Sequence, residues 1–384
     1  MTADAETERR VASAHAPLLS SDNPFKLAMF MFNSARGSTM SSATERLVKV
    51  TWPEQVRLTK AAEAAGFEAV IPIAKWCNTP HITPELARVF DNFTWAAGLA
   101  AVTDRIQILA TFHVPLYPPV MAAKMAATVD HISGGRFGIN VVAGFSPREF
   151  EMFGMKLDPD ADRYGATAEW LGLLKRMWTE PEPFDHEGEH FQGAGIVSEP
   201  KPLQQPWPTI MCAGNSDEGA AFSARHADIN FRAFPSYELI PKMVDQNRAL
   251  AAEAGREVKV FGHGYVICAD TEKEARQQLD YYTREHVDAA TAETFVTAAL
   301  GNSGNTHTVD FTEELKREML SRAAGGAFAL PLVGTPEQIV DGIQRMADGG
   351  LDGMAISFPD YDEGIQVYQE RLRPLLLEAG LRRS

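Results

Sequence analysis

Polar side chains end two apolar segments that are predicted to be neighbouring strands, and they are the chain's best candidates for chemistry. Thr111 and His113 end ILATFHV, and Asn140 interrupts the otherwise apolar FGINVVAG. A buried amide must find hydrogen-bond partners, so an asparagine in a core strand needs a structural or functional reason. Thr111 is weaker evidence, because threonine is common in strands. His113 can act as a base or can be a histidine satisfied in the core, and the second interpretation is the more common one.

The two segments belong to a predicted strand–helix–strand unit. Strands are predicted over 106–112 and 137–142, with a helix over 118–132 between them and a Gly134-Gly135 turn before the second strand. Strands joined by a helix pair in parallel. In α/β barrels the carboxyl ends of such strands carry the chemistry.

The same alternation of strand and helix runs along the whole chain and predicts its fold. Eight strands are predicted, over 25–32, 67–73, 106–112, 137–142, 209–213, 228–231, 258–268 and 353–358. We expect one (β/α)8 TIM barrel over 24–384, with a flexible N-terminal arm at 1–23 and a helical insertion at about 271–324. A doubly wound open sheet is the competing fold, but the GxGxxG fingerprint that accompanies its first strand is missing.

Composition narrows the classes of partner. The chain has 384 residues and a net charge of −15, which disfavours a general role on nucleic acid or on an anionic membrane. Three dispersed cysteines form no CxxC pair and no disulfide framework, so we expect a reducing, cytoplasmic location. The N-terminal segment has no apolar core of the length that a signal peptide or membrane span requires.

One literal motif is rejected. The segment from His186 to His190 matches the zinc-protease pattern HExxH, which requires both histidines on one face of a helix. Gly188 lies inside the motif and prolines precede it, and each disfavours a helix, glycine by about 1 and proline by about 3 kcal/mol relative to alanine. We predict a β-hairpin here and no metal site. A GxSxG elbow and a GxxxxGK[ST] loop are also missing from the sequence.

Two further segments could bind a phosphate or a planar ring. GNSDEG, with Ser216 at its centre, follows a strand and opens a helix, where backbone N–H groups can hold a phosphate; Ser216 can equally be only a helix cap. Arg163 and Tyr164 can bind a phosphate and cover a ring, or form a surface ion pair and a packed ring. Trp76, which ends the second strand, can wall a planar ligand or cap the core.

Several motifs together resemble those of the bacterial-luciferase-like, flavin-dependent monooxygenases. They are ISGGRFGINVV, AGNS, the DRY of 162–164, GLAAVTDRIQILAT and LVGTPEQI, spread over most of the chain. Within that family the sequence is most similar to the pyrimidine monooxygenase subgroup, which opens the uracil ring. The resemblance implies a (β/α)8 barrel that binds reduced FMN at the carboxyl ends of its strands.

The resemblance also implies roles for individual residues. Thr111 and Asn140 match residues that face the reactive edge of the flavin, and His113 is the third candidate catalytic residue. Trp76 and Phe145 are expected in the substrate pocket, where the subgroup has a tryptophan in place of Phe145. Because that pocket differs, the resemblance does not identify uracil as the substrate. The implied flavin contacts are Ala74, Lys75, Asn140, Glu149, Arg163, Tyr164 and Ser216.

The sequence therefore predicts a two-component monooxygenase. It would take reduced FMN from a separate flavin reductase, use NAD(P)H only through that reductase, and insert one oxygen atom of O₂ into a small planar amide-like or heteroaromatic substrate. Alternatives are a sulfone, alkanesulfonate or chlorinated-aromatic monooxygenase, a deazaflavin (F420)-dependent dehydrogenase, a non-catalytic flavin-binding protein, and a barrel enzyme of unrelated chemistry. Attachment of oxygen at N5 or C4a of the flavin stays open. A homodimer or homotetramer is expected from the family.

Overall fold

Eleven strands and fourteen α-helices make up the described part of the computed structural model, which covers residues 16–43, 48–76, 88–144, 146–156, 162–301 and 313–383. The strands are β1 (Lys26–Phe30), β2 (Ala69–Ile71), β3 (Gln107–His113), β4 (Phe137–Val142), β5 (Phe184–Glu187), β6 (Gln192–Ile196), β7 (Thr209–Cys212), β8 (Ile229–Phe231), β9 (Lys259–Cys268), β10 (Leu330–Gly334) and β11 (Gly353–Ser357).

Eight of these strands close into a parallel barrel in the order β1-β2-β3-β4-β7-β8-β9-β11. Closure is shown by two pairings, β8 with β9 and β11 with β1. The closed ring confirms the predicted TIM barrel and excludes the open doubly wound sheet, which would leave two edges unpaired. Each predicted strand is present, with its ends moved by at most two residues.

Side chains alternate between the barrel interior and the surrounding helices. One buried cluster, which includes Ala28, Leu109, Met211, Ile229 and Phe261, fills the interior. A second and larger cluster joins the outward faces of the strands to the helices. The interior is thus a packed core, and only side chains at the strand ends are left to meet a ligand.

The helices cover the outside of the barrel and its two ends. Most begin with a proline in the first turn or with a polar cap, and several end at a glycine of positive φ, as Trp52–Ala65 does at Gly66. Their bounds are α1 (Pro17–Ser20), α2 (Trp52–Ala65), α3 (Asn92–Ala100), α4 (Pro119–Ser133), α5 (Pro147–Met152), α6 (Arg163–Thr179), α7 (Asp217–His226), α8 (Ile240–Glu253), α9 (Glu272–Asp280), α10 (Ala289–Gly301), α11 (Glu313–Gly326), α12 (Pro336–Asp348), α13 (Tyr361–Val367) and α14 (Arg373–Glu378).

Strand β10 was not predicted, because it follows the helical insertion directly and contains a proline. It pairs in parallel with the second half of β9, from Gly264 to Cys268, while β11 pairs with the part of β9 that belongs to the barrel. In the described chain β10 has this one neighbour, which is the position in which a sheet tolerates proline. The insertion itself contains α9, α10 and α11.

Residues 16–23 do not form the end of a flexible arm. They pack at the amino-terminal end of the barrel, where Leu18 is 1% exposed and its N–H donates to Gln107. Ser21 and Asn23 both donate to Glu68, whose carboxylate is also paired with Arg382. The sequence pattern missed this because a segment with one apolar anchor has no periodicity to detect. Residues 1–15 of the expected arm lie outside the described residues.

The HExxH segment forms the predicted hairpin. Strands β5 and β6 pair in antiparallel fashion, and His186 lies in β5. Glu169 of α6 holds the hairpin, since it contacts His186 Nε2 at 2.9 Å and accepts the backbone N–H groups of His190 and Phe191. The segment is therefore a hairpin that packs against α6.

No helix among the described residues has both the length and the apolar character needed to cross a membrane.

Candidate functional site

Thr111 and Asn140 are neighbours at the carboxyl ends of β3 and β4. They lie opposite each other in the strand register, and both are buried. The Thr111 hydroxyl donates its proton to the carbonyl of Pro72 at 2.6 Å, so its oxygen can only accept from Asn140 Nδ2, which lies at 3.2 Å. This fixes the amide and turns Asn140 Oδ1 away from Thr111. That oxygen is buried and has no hydrogen-bond partner in the described chain.

Two asparagines that sequence reasoning missed hold the ends of the neighbouring strands. Asn33 exchanges two hydrogen bonds with the backbone of Ile73, both at 2.9 Å, and donates to Asn92 Oδ1. Asn92 in turn donates to the carbonyl of Thr111 at 2.9 Å. Together they fix the carboxyl ends of β2 and β3, and with them the position of the Thr111 hydroxyl. The sequence signal for Asn33 is its location directly after the predicted strand 25–32, and Asn92 is the first residue of helix α3.

His113 and Glu149 form a buried pair beside Thr111. His113 is the last residue of β3, and its Nδ1 lies 3.2 Å from Glu149 Oε2 on α5. The other oxygen of Glu149 accepts the backbone N–H of Trp76 at 2.7 Å. Glu149 therefore joins the segment after β2 to the end of β3. His113 is neither an isolated base nor a purely apolar core residue, because a carboxylate lies within ion-pairing distance of its ring.

An open cleft of about 470 Å³ lies next to these groups, at the carboxyl ends of β2 and β3. Trp76, which is 37% exposed, and Tyr117 supply aromatic walls, and their ring centroids are 6.5 Å apart. Five predicted residues line this one cleft: Ala74, Lys75, Trp76, Thr111 and His113. The predicted pocket residue Phe145 lies outside the described residues.

A second group of predicted residues meets at the start of α7, which follows β7. Ser216 is the N-cap of this helix and accepts the N–H of Gly219 at 3.1 Å. The side chain of Ser216 is also hydrogen-bonded to Tyr164 of α6, and burial raises the pKa of the Tyr164 hydroxyl. A Cβ at position 219 would lie 2.5 Å from that hydroxyl, so glycine is required for the approach. Gly214 and Gly219 also contact each other through their backbones.

Arginines surround this helix start. The guanidinium of Arg163 is half-buried and has no acidic partner among the residues that the structure describes. Arg232, after β8, is 7% exposed; one of its N–H groups donates to Asn215 at 3.3 Å, and burial lowers the pKa of its guanidinium. A helix N-terminus, two hydroxyls and two arginines form a cradle suited to a phosphate. The capping role of Ser216 is present as well, so the two interpretations are compatible.

The cleft and the cradle lie at the same end of the barrel. Asn140 on β4 is in register with Met211 on β7, and the cradle follows β7 by a few residues. The predicted flavin contacts therefore divide into one group at the ends of β2, β3 and β4 and another after β7. This division fits an elongated ligand with a polar ring at one end and a phosphate at the other.

Comparison with known proteins places the chain among relatives of one kind. Residues 25–353 match the family model of luciferase-like monooxygenases. The pyrimidine monooxygenase RutA of Acinetobacter baylyi is 32% identical over 327 residues, which cover 83% of this chain and 86% of that protein. RutA of Cronobacter sakazakii is 33% identical over 326 residues, covering 83% of this chain and 94% of that protein.

Solved structures show the same fold at lower sequence identity. The crystal structure of riboflavin lyase RcaE, with modified FMN and riboflavin, has a TM-score of 0.80 and 22% identity, covering 94% of this chain and 93% of that chain. The long-chain alkane monooxygenase LadA has a TM-score of 0.79 and 22% identity, covering 94% and 92%. These likenesses confirm the barrel architecture.

Proposed function

The chain belongs to the luciferase-like monooxygenase family, and from that premise we propose that it is the oxygenase of a two-component system that uses reduced FMN. It is a flavin-dependent monooxygenase, as its curated relatives are monooxygenases of this family. The observation that carries the proposal is the buried, unpaired Oδ1 of Asn140, oriented by Thr111 beside an open cleft.

The residues present fit a flavin mononucleotide. Reduced flavin carries ring N–H groups, and Asn140 Oδ1 is an acceptor that is costly to leave unpaired in a buried site. Ser216, Tyr164 and Arg163 at the start of α7 fit the phosphate tail, and the Gly219 position keeps that cradle free of side-chain atoms. FMN has both features, a polar ring and a terminal phosphate.

Each residue contributes position rather than redox chemistry. Bound reduced flavin supplies the electrons for the reduction of O₂, and the protein supplies orientation and a dry pocket. Thr111 fixes the Asn140 amide, Asn33 and Asn92 fix the strand ends below it, and Glu149 ties Trp76 to His113. Trp76 and Tyr117 give the cleft that would receive the substrate an apolar lining.

The substrate we propose is small and planar, with amide or heteroaromatic character. The rings of Trp76 and Tyr117 offer apolar aromatic surface to a flat ring, and His113 adds a polar group to the lining of the cleft. The relatives at 31–33% identity are pyrimidine monooxygenases, which act on substrates of this class. A separate flavin reductase would deliver the reduced FMN, because the sequence has no nicotinamide fingerprint. We place this reaction in the cytoplasm and expect a homo-oligomer.

A substrate panel with ¹⁸O₂ tests the proposal. The protein is mixed with reduced FMN and either uracil, thymine, 2-pyridone, an aromatic sulfone or an alkanesulfonate, and products are read by mass spectrometry. We expect one ¹⁸O atom in the product of a cyclic amide. No incorporation with any compound refutes the monooxygenase proposal. Substrate oxidation with oxidised deazaflavin in the absence of O₂, with formation of the reduced deazaflavin, would instead identify a dehydrogenase.

Variants connect the reaction to the site. Thr111→Val keeps the side-chain shape but leaves Asn140 Nδ2 without its acceptor, and Asn140→Ala removes the amide. Both are expected to reduce oxygenation at least 10-fold, because each disturbs the group that orients or supplies Asn140 Oδ1. Both proteins should stay folded, since the unpaired buried donor in Thr111→Val costs only about 1–3 kcal/mol of unfolding free energy. Thr128→Val, at an exposed helix position, is the matched control with wild-type activity. Full activity of both site variants would remove this assignment.

A further inference from the structure

A buried histidine lies across the barrel from Thr111 and Asn140. His263 is on β9, which is separated from β3 by three strands on either side of the eight-strand ring. It comes two residues after Phe261, a residue of the interior cluster, so strand alternation turns His263 to the interior as well. Its ring meets Phe30 edge to face, with centroids 4.7 Å apart, and lies 6.1 Å from Phe231.

These three rings belong to the layer at which the barrel opens. Phe30, Phe231 and His263 are 7%, 6% and 4% exposed, close to the 7% of Thr111. The interior residues one step deeper on the same strands, Ala28, Ile229 and Phe261, are all 0% exposed. His263 therefore lies in the interior layer at the open, carboxyl-terminal end of the barrel (the mouth), on the side opposite Thr111 and Asn140.

A chain of hydroxyls fixes the proton of His263. Ser38 donates to Ser357 Oγ at 2.7 Å, and Ser357 Oγ lies 3.2 Å from His263 Nε2. Because Ser357 accepts from Ser38, its own proton is free for Nε2, which then acts as the acceptor. This arrangement places the ring proton on Nδ1, because an Nε2–H donor would leave the Ser357 proton without an acceptor in the described chain. Within the described part of the chain, Nδ1 has no hydrogen-bond partner.

Burial keeps this imidazole neutral. Burial lowers the pKa of His263 to about 3, so the ring carries a single proton at neutral pH. The group offered at the floor of the mouth is thus one uncharged N–H donor, framed by two phenylalanine rings. Such a donor suits a neutral carbonyl, whereas a sulfonate or carboxylate would be stabilised by a cation that this position does not supply.

We propose that His263 Nδ1–H binds the carbonyl oxygen of a cyclic amide substrate, and that Ser357 is its positioning residue. This inference rests on the proposed function and adds a substrate contact on the wall opposite Thr111 and Asn140. It assigns the substrate class as a neutral ring amide, in preference to sulfonates. The Ser38–Ser357–His263 chain fixes the tautomer, so the donor is present before the substrate arrives.

Two amide variants separate the two nitrogens of the ring. Asn at position 263 places an amide near the Nδ1 position, and Gln places one near Nε2. With uracil and 2-pyridone as probes, we expect His263→Gln to raise the substrate KM or Kd roughly 10-fold or more and His263→Asn to retain most of the affinity. FMN binding, measured by fluorescence, should stay at the wild-type value in both variants, because the contact is to the substrate.

A thiocarbonyl probe supplies the second readout. Sulfur is a weaker acceptor than oxygen, so wild-type protein should prefer uracil to 4-thiouracil, and His263→Gln should lose that preference. Ser357→Ala leaves the ring in place and frees the tautomer, and we expect a smaller rise in Kd, about 2- to 5-fold, with unchanged FMN binding. This variant tests the idea even if a His263 variant does not fold.

The outcomes are distinct from those of the proposed function. Equal losses in His263→Gln and His263→Asn, an unchanged thiocarbonyl preference, or wild-type affinity in both His263→Gln and Ser357→Ala overturns the inference. Failure of the wild-type protein to bind either cyclic amide also overturns it. Failure to bind FMN or to incorporate ¹⁸O with any panel compound refutes the proposed function instead.

Discussion

Replacing Ser216 separates helix capping from phosphate binding. Ser216→Ala removes a hydroxyl that accepts the N–H of Gly219 and is hydrogen-bonded to Tyr164. Ser216→Asp keeps an N-cap acceptor, because aspartate caps helices about as well as serine does. It also places a negative charge where the flavin phosphate is proposed to bind.

The two effects have different magnitudes and different readouts. Loss of an N-cap costs about 1 kcal/mol of unfolding free energy, so Ser216→Ala should be less stable by that amount and Ser216→Asp close to wild type. A hydrogen bond to a charged group contributes about 1.5–3 kcal/mol, which corresponds to a rise in the FMN dissociation constant of roughly 10- to 100-fold in Ser216→Ala. Charge repulsion in Ser216→Asp should weaken FMN binding by at least as much.

Riboflavin provides the control, because it has the ring of FMN and no phosphate. Dissociation constants of FMN and riboflavin are measured by fluorescence quenching for wild type and both variants, and stability is measured by urea unfolding. We expect riboflavin affinity to stay unchanged within about 2-fold in each protein. FMN binding by Ser216→Asp at wild-type strength, or equal losses for FMN and riboflavin, would refute the assignment of this helix start to the phosphate.

Three further predictions concern the cradle, the base of the barrel and the mouth. Gly219→Ala puts a methyl group 2.5 Å from the Tyr164 hydroxyl, so FMN affinity should fall while riboflavin affinity is kept; unchanged FMN titration would contradict this. Arg382→Met leaves the Glu68 carboxylate buried without its partner, and urea unfolding should show a loss of about 3–5 kcal/mol, whereas a loss below about 1 kcal/mol would refute the role of the pair. Burial lowers the pKa of His263 from its ordinary value of 6.5 to about 3, so below pH 6.5 the unfolded chain binds a proton that the folded protein does not. Unfolding free energy should therefore fall by about 2 kcal/mol from pH 7 to pH 5, and His263→Asn should remove that part of the pH slope in urea titrations at the two pH values.

The barrel was predictable because its signal repeats. Eight apolar segments separated by helices identify parallel strands, and each was placed within two residues of its position in the structure. Local features without repetition were harder. Strand β10 has a single neighbour and a proline, and residues 16–23 are held by the contacts of Leu18, Ser21 and Asn23, which no periodic pattern reveals. Thr51 occupies the N-cap position of α2, where threonine is favoured, yet its side chain makes no capping hydrogen bond.

Candidate site residues could be predicted where they lie on two adjacent strands. They could not be predicted where only closure of the eight-strand barrel brings them together. Asn140 stands out in an apolar strand, and its neighbour Thr111 lies on the preceding strand, so parallel pairing alone brings them together. His263 also lies in a predicted strand, yet its relation to them depends on the order in which eight strands close. Closure of the ring brings His263 next to the hydroxyls of Ser38 and Ser357. It also places His263 opposite Thr111. The pairing of adjacent strands identifies residues on one side of the barrel mouth. The residues on the opposite side can be identified only from the order of all eight strands.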